Sequence, residues 1–581
     1  MRIRDLVCAG AALWCVAATA DAAAVRVCSV YLESYAAFQK QMAQGAALFE
    51  APQLAGLPMM MTVSMPGFAL VDTSKPIALH VVSTAPGKTG VVLELSAANG
   101  AEAYVQALAG NGTPLPAPVD GIYRLANGMS VRTADSKAFV VLKGDDPAAC
   151  LAGEGLFPPL PSVGGAVRVS VAPAALGPML AEFKQSSAKT PAGAAAPGVR
   201  SLEATCDFYG LLLEQIESLE LGLELQEGGL RLNTLFAPRP GSDVAAVVAS
   251  AKPVAASELA FVDGGSAISF ASGPYAVPER LKRAFLDFYL KMAASAPAGA
   301  AVSTNDLAAV MSRSFDSFGA AAGITARIDS PAAGVRAEGT LRLANPKAYI
   351  DAQMAMMTSS CYRATLRQSG VVMQAPSTRQ AQGLTIYGWK SAFDEQTLQQ
   401  AMRAAMPSNV TPEQAEAAVR ANAGMAGSLM KLFGSGYEWA ATSDRMLFGV
   451  GEPAMIERAL ARTRAPVATV EVVRIRRELA PSTVPCALGR VSIAAVLRAF
   501  APEAPAAAAG GDAKGGAEAD GAILFAQWVE QGRSRSVAVV SPSEIKAIVR
   551  QVQSLQAKAR QPPAPPLPGG SADGSGGGAQ P

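Results

Sequence analysis

Residues 323–354 read GITARIDSPAAGVRAEGTLRLANPKAYIDAQM. Ile324, Ala326 and Ile328 alternate with Thr325, Arg327 and Asp329, which predicts a strand with one apolar and one wet face. Pro331 and Gly334 turn the chain. Val335, Ala337, Leu341 and Leu343 then alternate with Arg336, Glu338, Thr340 and Arg342 in a second strand. Asn345 is a good helix cap and Pro346 suits the first helical position, so a helix follows, with Ile350, Met354 and Met357 facing the sheet. The unit is a hairpin plus a helix.

The same unit reads from Pro76, where Asn99 is the expected cap, from Leu219, where Ser242 caps, and from Ala522, where Ser541, Pro542 and Glu544 form a capping box. A looser strand-then-helix unit begins at Ala138, Ala267 and Met446, and a single-strand unit at Val167 and Leu488. Their shared order reads as the duplication of one long half. The expected fold is α+β: two similar halves of mainly antiparallel sheet built from repeated β-hairpin plus helix units, with helices packed on one sheet face.

Composition marks the limits of the halves. Arg2 and Arg4 precede an apolar run ending in Ala20-Asp21-Ala22, the pattern of a signal peptide over residues 1–22. No later run reaches the roughly 20 apolar residues of a spanning helix, so the mature chain is expected to lack a transmembrane segment and to be periplasmic or secreted. The first half is expected over 23–295 and the second over 303–560. The second carries an insertion at about 361–435, with helices opening at Asp394 and Thr411, and a low-complexity loop at about 501–520. Residues 561–581, rich in Pro and Gly, are expected to be a disordered tail.

Lys plus Arg (49) nearly cancels Asp plus Glu (47), so no global field draws the chain to nucleic acid. Arg474, Arg476 and Arg477 follow VATVEVV and read as a solvated strand face, as do Arg533 and Arg535. Cys28, Cys150, Cys206, Cys361 and Cys486 remain after the signal. They allow up to two disulfides whose pairing the sequence does not specify, or small buried apolar positions.

The chemistry-bearing motifs are few. His80 is the only histidine. It lies mid-strand opposite the face of Ile77, Leu79 and Val81, where Glu94 on the partner strand could be near, and reads as a surface or satisfied structural residue. Nucleophile, zinc, phosphate-loop and dinucleotide motifs are lacking. Ser543-Glu544-Ile545-Lys546 and Lys88-Thr89-Gly90 match fragments of penicillin-binding enzymes in the wrong order, and Ser543 is explained by capping. Met59, Met60, Met61 and Met65 read as soft apolar lining. No catalytic, metal or cofactor residue is assigned. The expected function is a non-catalytic exported bacterial envelope protein that binds or scaffolds, its partner another envelope protein or a hydrophobic ligand. The alternatives are a carrier with an apolar cavity for a lipid and a carboxylate-dependent hydrolase.

Overall fold

The chain is described here by a computed structural model. It describes residues 24–560 except 66, 86–87, 111–112, 153–155, 189–196, 295–307, 310, 313–314, 329–333, 369, 406–410, 417–418, 420–435 and 501–520. The signal segment, the low-complexity loop and the tail therefore lie outside the described residues, as does the Pro331 turn.

The strands are, in chain order, β1 (Val25–Leu32), β2 (Ile77–Ala85), β3 (Lys88–Ser96), β4 (Ile122–Arg124), β5 (Ser130–Ala134), β6 (Lys137–Lys143), β7 (Val167–Val171), β8 (Ile216–Gln226), β9 (Gly229–Pro238) and β10 (Ile268–Ser272). There follow β11 (Ala322–Ile328), β12 (Val335–Arg342), β13 (Val371–Met373), β14 (Ser377–Ala381), β15 (Leu384–Phe393), β16 (Gly436–Ala441), β17 (Arg445–Val450), β18 (Ala487–Val491), β19 (Ile523–Glu530) and β20 (Arg533–Val540). All pairings of these strands are antiparallel. From one edge the order is β4, β5, β6, β3, β2, β1, β7, β8, β9. β9 pairs with β20, and the order continues β19, β18, β10, β11, β12, β17, β16, β15, with β14 and β13 both on β15. The fold is α+β, built on one large antiparallel sheet.

All four hairpin units form as the alternation requires, and each is followed by a helix. Asn345 caps the helix Pro346–Thr358 by accepting from the Ala348 amide, and Ser242 caps Asp243–Ser250 by accepting from Ala245. In the unit from Pro76 the cap is Gly100 at φ 89°, not Asn99, because the chain enters that helix through a left-handed residue that glycine tolerates. In the last unit Ser541 accepts from the Glu544 amide, but Glu544 does not reach back. Its carboxylate instead accepts from Ser492 at 3.1 Å and from the Ala494 amide at 2.8 Å, so it caps a different helix, Ile493–Phe500.

Two expectations are corrected. The helices cover both faces of the sheet, not one. Helix α1 (Ala101–Ala109) packs Tyr104 and Val105 on Leu93, Leu95, Ala138 and Val140, while α2 (Pro147–Ala152) packs Cys150 and Leu151 on Val92, Phe139 and Val141. Likewise α3 (Pro346–Thr358) covers Met446 and Phe448, while α4 (Met455–Arg464) covers Leu447 between them. Such strands are apolar at consecutive positions because alternate side chains meet different helices. The second correction is VEVVRIRREL, a helix, α5 (Val470–Leu479), rather than a strand. Thr469 caps it, Glu471 in the first turn and Arg476 and Arg477 in the last suit its dipole, and Val472, Ile475 and Leu479 are buried at helical spacing. These positional effects outweigh the weak helix preference of valine.

Cys28, Cys150, Cys206 and Cys486 form no disulfide with one another; the side chain of Cys361 lies outside the described residues. Among the described residues no helix is long and apolar enough to cross a membrane.

Candidate functional site

The strand register sets two rows of side chains across the sheet. One runs Ser170, Ser29, His80, Val92, each directly opposite the next on β7, β1, β2 and β3. The other runs Arg490, Ser269, Thr325, Glu338 on β18, β10, β11 and β12. Each row lies at the same height above its neighbouring hairpin: Glu220 opposite Ser170, and Leu524 opposite Arg490, are equally far back from the hairpin ends Gln226 and Glu530.

The first row leads into a polar chain that is buried at Ser29 and His80 and reaches solvent at Lys137. Ser29 Oγ lies 2.8 Å from His80 Nδ1, His80 Nε2 lies 2.9 Å from Glu94 Oε2, and Lys137 Nζ donates to Glu94 Oε1 at 2.6 Å. Ser29 and His80 are wholly buried, and the rings of Tyr31 and Phe157 meet the imidazole edge to face. Burial alone pushes the Glu94 carboxyl up, but the hydrogen bonds from His80 and Lys137 outweigh it and hold it below the ordinary carboxylate value. Serine, histidine and glutamate are thus linked as in hydrolytic triads. The setting is not that of a nucleophile: Ser29 is mid-strand, has no surface a substrate could reach, and sits in paired backbone rather than beside free amides aimed at an oxyanion. His80 is therefore a satisfied structural residue, not a surface one.

The second row opens into a cavity of about 120 Å³ lined by Thr325, Arg327, Arg336, Glu338, Met455, Arg458 and Arg462, between the β11–β12 hairpin and α4. Arg458 and Arg462 are one helical turn apart and share the buried Glu338, at 3.2 and 2.8 Å. Arg462 continues to Asp263 at 3.6 Å, which binds Arg327 at 2.5 Å. Arg458 continues to Glu452 at 3.2 Å, which binds Arg336 at 2.7 Å. Among the described residues these pairs join four guanidinium groups and three carboxylates in alternation. Burial pushes Asp263 up, but the Gly265 amide and Arg327 overcome this and lower it, and Arg336 and then Arg458 lower Glu452.

A third charged group ties the neighbouring strands: Glu258, with no exposed surface, binds Arg342 at 3.1 Å and Arg445 at 3.2 Å. Among the described residues no group of three or more His, Cys, Asp or Glu is arranged to hold a metal ion.

Sequence alternation had put Thr325, Arg327, Arg336 and Glu338 on a wet face. The structure instead covers that face with α4 and buries Thr325 and Glu338. The readable signal was Arg458 and Arg462 at helical spacing just after Met455, while Asp263 and Glu452 come from loops that alternation does not mark. Met59 and Met60 are exposed, and Met61 and Met65 pack at the edge of an apolar cluster beside α1. No family model matches the chain, and no curated protein or solved structure registers as similar to it.

Proposed function

We propose that this chain is a non-catalytic, exported binding protein made by duplication of one long half, with its binding site in the second copy. The single observation that carries the reading is a contrast at matching positions. Val82, opposite Gly90, matches Arg327, opposite Arg336; Val92 matches Glu338; and Cys150 matches Arg458, each on the first turn of its helix. In the first copy this layer is filled, with Val82, Val92, Cys150 and Leu151 in one apolar cluster beside the buried His80. In the second it is charged and holds a cavity. Charged groups held beneath a helix cost desolvation that apolar residues avoid, which fits retention for a ligand rather than for stability.

Duplication is supported by strand order. β1 lies between β2 and β7 as β10 lies between β11 and β18, and hairpins β8–β9 and β19–β20 meet at the centre. On this reading β10 heads the second copy, which moves the junction from 295–303 to before Ile268. A sheet of 20 strands also exceeds the roughly 10 that open twisted sheets commonly reach, so two joined sheets are the more natural origin.

The binding reading is favoured over the carrier because the cavity is below the roughly 300 Å³ of pockets for larger ligands. It is favoured over the hydrolase because an acid catalyst needs a raised carboxyl, and Asp263 and Glu452 are both lowered. Export rests on Arg2, Arg4 and Ala20-Asp21-Ala22 alone. Native mass spectrometry of protein purified from its own envelope tests the reading. A small polar adduct that leaves on denaturation, on a chain beginning near Ala23, is expected; a lipid adduct would establish the carrier, and turnover of a bound ester or glycoside the hydrolase.

A further inference from the structure

Residues 51–71, APQLAGLPMMMTVSMPGFALV, carry no Asp, Glu, Lys, Arg or His, and no other stretch of the chain goes as long without one. The helix Leu57–Ser64 lies within it, entered through a 3-10 turn at Pro52–Gly56. At about 100° per residue, Met59, Met60 and Val63 fall on one side of this helix, and they keep 72%, 47% and 81% of their surface exposed. Met61 and Met65 fall on the other side and pack against the apolar cluster beside α1. The helix is held from below: Tyr35 Oη donates to the Pro58 carbonyl at 3.1 Å, and the Tyr35 ring meets Phe68 edge to face. Its two hydroxyls turn onto its own backbone, Thr62 donating to the Met59 carbonyl at 2.7 Å and Ser64 to the Met60 carbonyl at 2.6 Å.

From this face we infer that the helix Leu57–Ser64 docks on a lipid surface, with its axis in the plane of the membrane and Met59, Met60 and Val63 set among the acyl chains. Apolar side chains scattered singly need no partner, but three adjacent ones on an anchored helix form a patch that is better removed from water. Charge chooses the occupant. A protein partner is usually met with a polar rim and a hydrogen bond for every 100–200 Å² or so, and beyond the Gln53 amide on the preceding turn this face offers no charge and no undonated hydroxyl. Hydrocarbon makes the opposite demand: polar groups must be satisfied within the segment, because no water reaches them. The inward hydroxyls meet that demand, as does Pro58 in the first turn, which has no amide hydrogen to leave unpaired. By contrast, the exposed Val470 and Val473 on α5 share their helix face with Arg474 and Arg477, whose charges hold that face in water. The contact is shallow and reversible. A helix of 8 residues is about 12 Å long, and three side chains bury less than one acyl chain, which alone gives only about 10⁴ M⁻¹. It involves no part of the cleft beneath α4 and does not rest on the ligand reading.

The test is flotation of the full mature chain with phosphatidylcholine vesicles at low and at high salt. Protein is expected to float with the vesicles, half bound at about 1 mM accessible lipid and equally at both salts, since an uncharged face has nothing to screen. Met59→Asp combined with Val63→Asp, both at exposed positions, should weaken this about tenfold or more while circular dichroism stays native. Val470→Asp combined with Val473→Asp should float as wild type. In a Val63→Trp variant, lipids brominated on their acyl chains should quench emission beyond the quenching of wild type, which places this side chain in the membrane. No flotation of wild type, or equal flotation of the Met59 and Val63 variant, would overturn the inference. So would flotation only with anionic vesicles and only at low salt, which would assign the contact to surface arginines. A dimer in place of flotation, broken by the same variant, would also overturn it and assign the face to a second copy.

Discussion

Arg327 and Arg336 stand directly opposite each other on β11 and β12, and Val82 stands directly opposite Gly90 on β2 and β3. Gly90 is required there, because a Cβ at that position would collide with the sulfur of Cys150. At the matching place on the second helix Arg458 reaches Glu338 and Glu452 instead. On the proposed duplication, one backbone arrangement carries a packed thiol beneath α2 and a chain of charges beneath α4.

Removing the floor of that chain should cost stability, and removing its partners as well should restore it. Glu338→Val strips Arg458 and Arg462 of a shared buried carboxylate, but both arginines keep solvent contact and can rehydrate. The expected loss is about 1–3 kcal/mol by urea denaturation. Adding Arg458→Leu and Arg462→Leu should return stability to within about 1 kcal/mol of wild type, since a well-packed apolar layer is usually no worse than an ion pair. A triple variant less stable than the single one would contradict this account.

Glu258 gives a sharper case. It is fully buried, and its partner Arg445 keeps only 11% of its side-chain surface exposed. Glu258→Ala leaves Arg445 with Asp444 alone, at 3.2 Å, and about 1–3 kcal/mol of stability should be lost. A loss under about 1 kcal/mol would show that water reaches Arg445.

The polar chain from Ser29 to Lys137 predicts the sign of a pH dependence. The folded Glu94 carboxyl is lowered relative to the unfolded chain, so its contribution is fully present above the unfolded value of roughly 4.5. That contribution is lost as pH falls through the lower native value. The stability gap between wild type and Glu94→Gln should therefore be flat above about pH 5 and shrink on acidification. A gap that widens in acid would contradict the assignment of His80 and Lys137 as the groups that lower Glu94.

What the sequence made legible follows from the range of the forces involved. The hairpin from Gly323 and its helix are set by alternation, Asn345 and Pro346, all local, and they form as read. Val470–Leu479 was misread because Thr469, Glu471 and the terminal arginines decide a helix that β-branched residues disfavour. The contact of Ser29 with His80 joins strands separated by a long stretch of chain, so only the register, not the motif, brings them together. The cleft was hidden for the same reason: Asp263, Arg327 and Arg462 come from three distant segments, and polar alternation alone cannot tell solvent from a covering helix.

The central proposal is that the chain is duplicated and that the layer beneath α4 is a ligand site where its counterpart beneath α2 is filled. Hydrogen exchange of the full mature chain, with and without the small-molecule extract of its own envelope, tests this most directly. The account predicts slowed exchange in Val335–Arg342 and Met455–Arg464, with Lys88–Ser96 and Pro147–Ala152 unchanged. Protection confined to the first-copy segments, or equal in both copies, would contradict it.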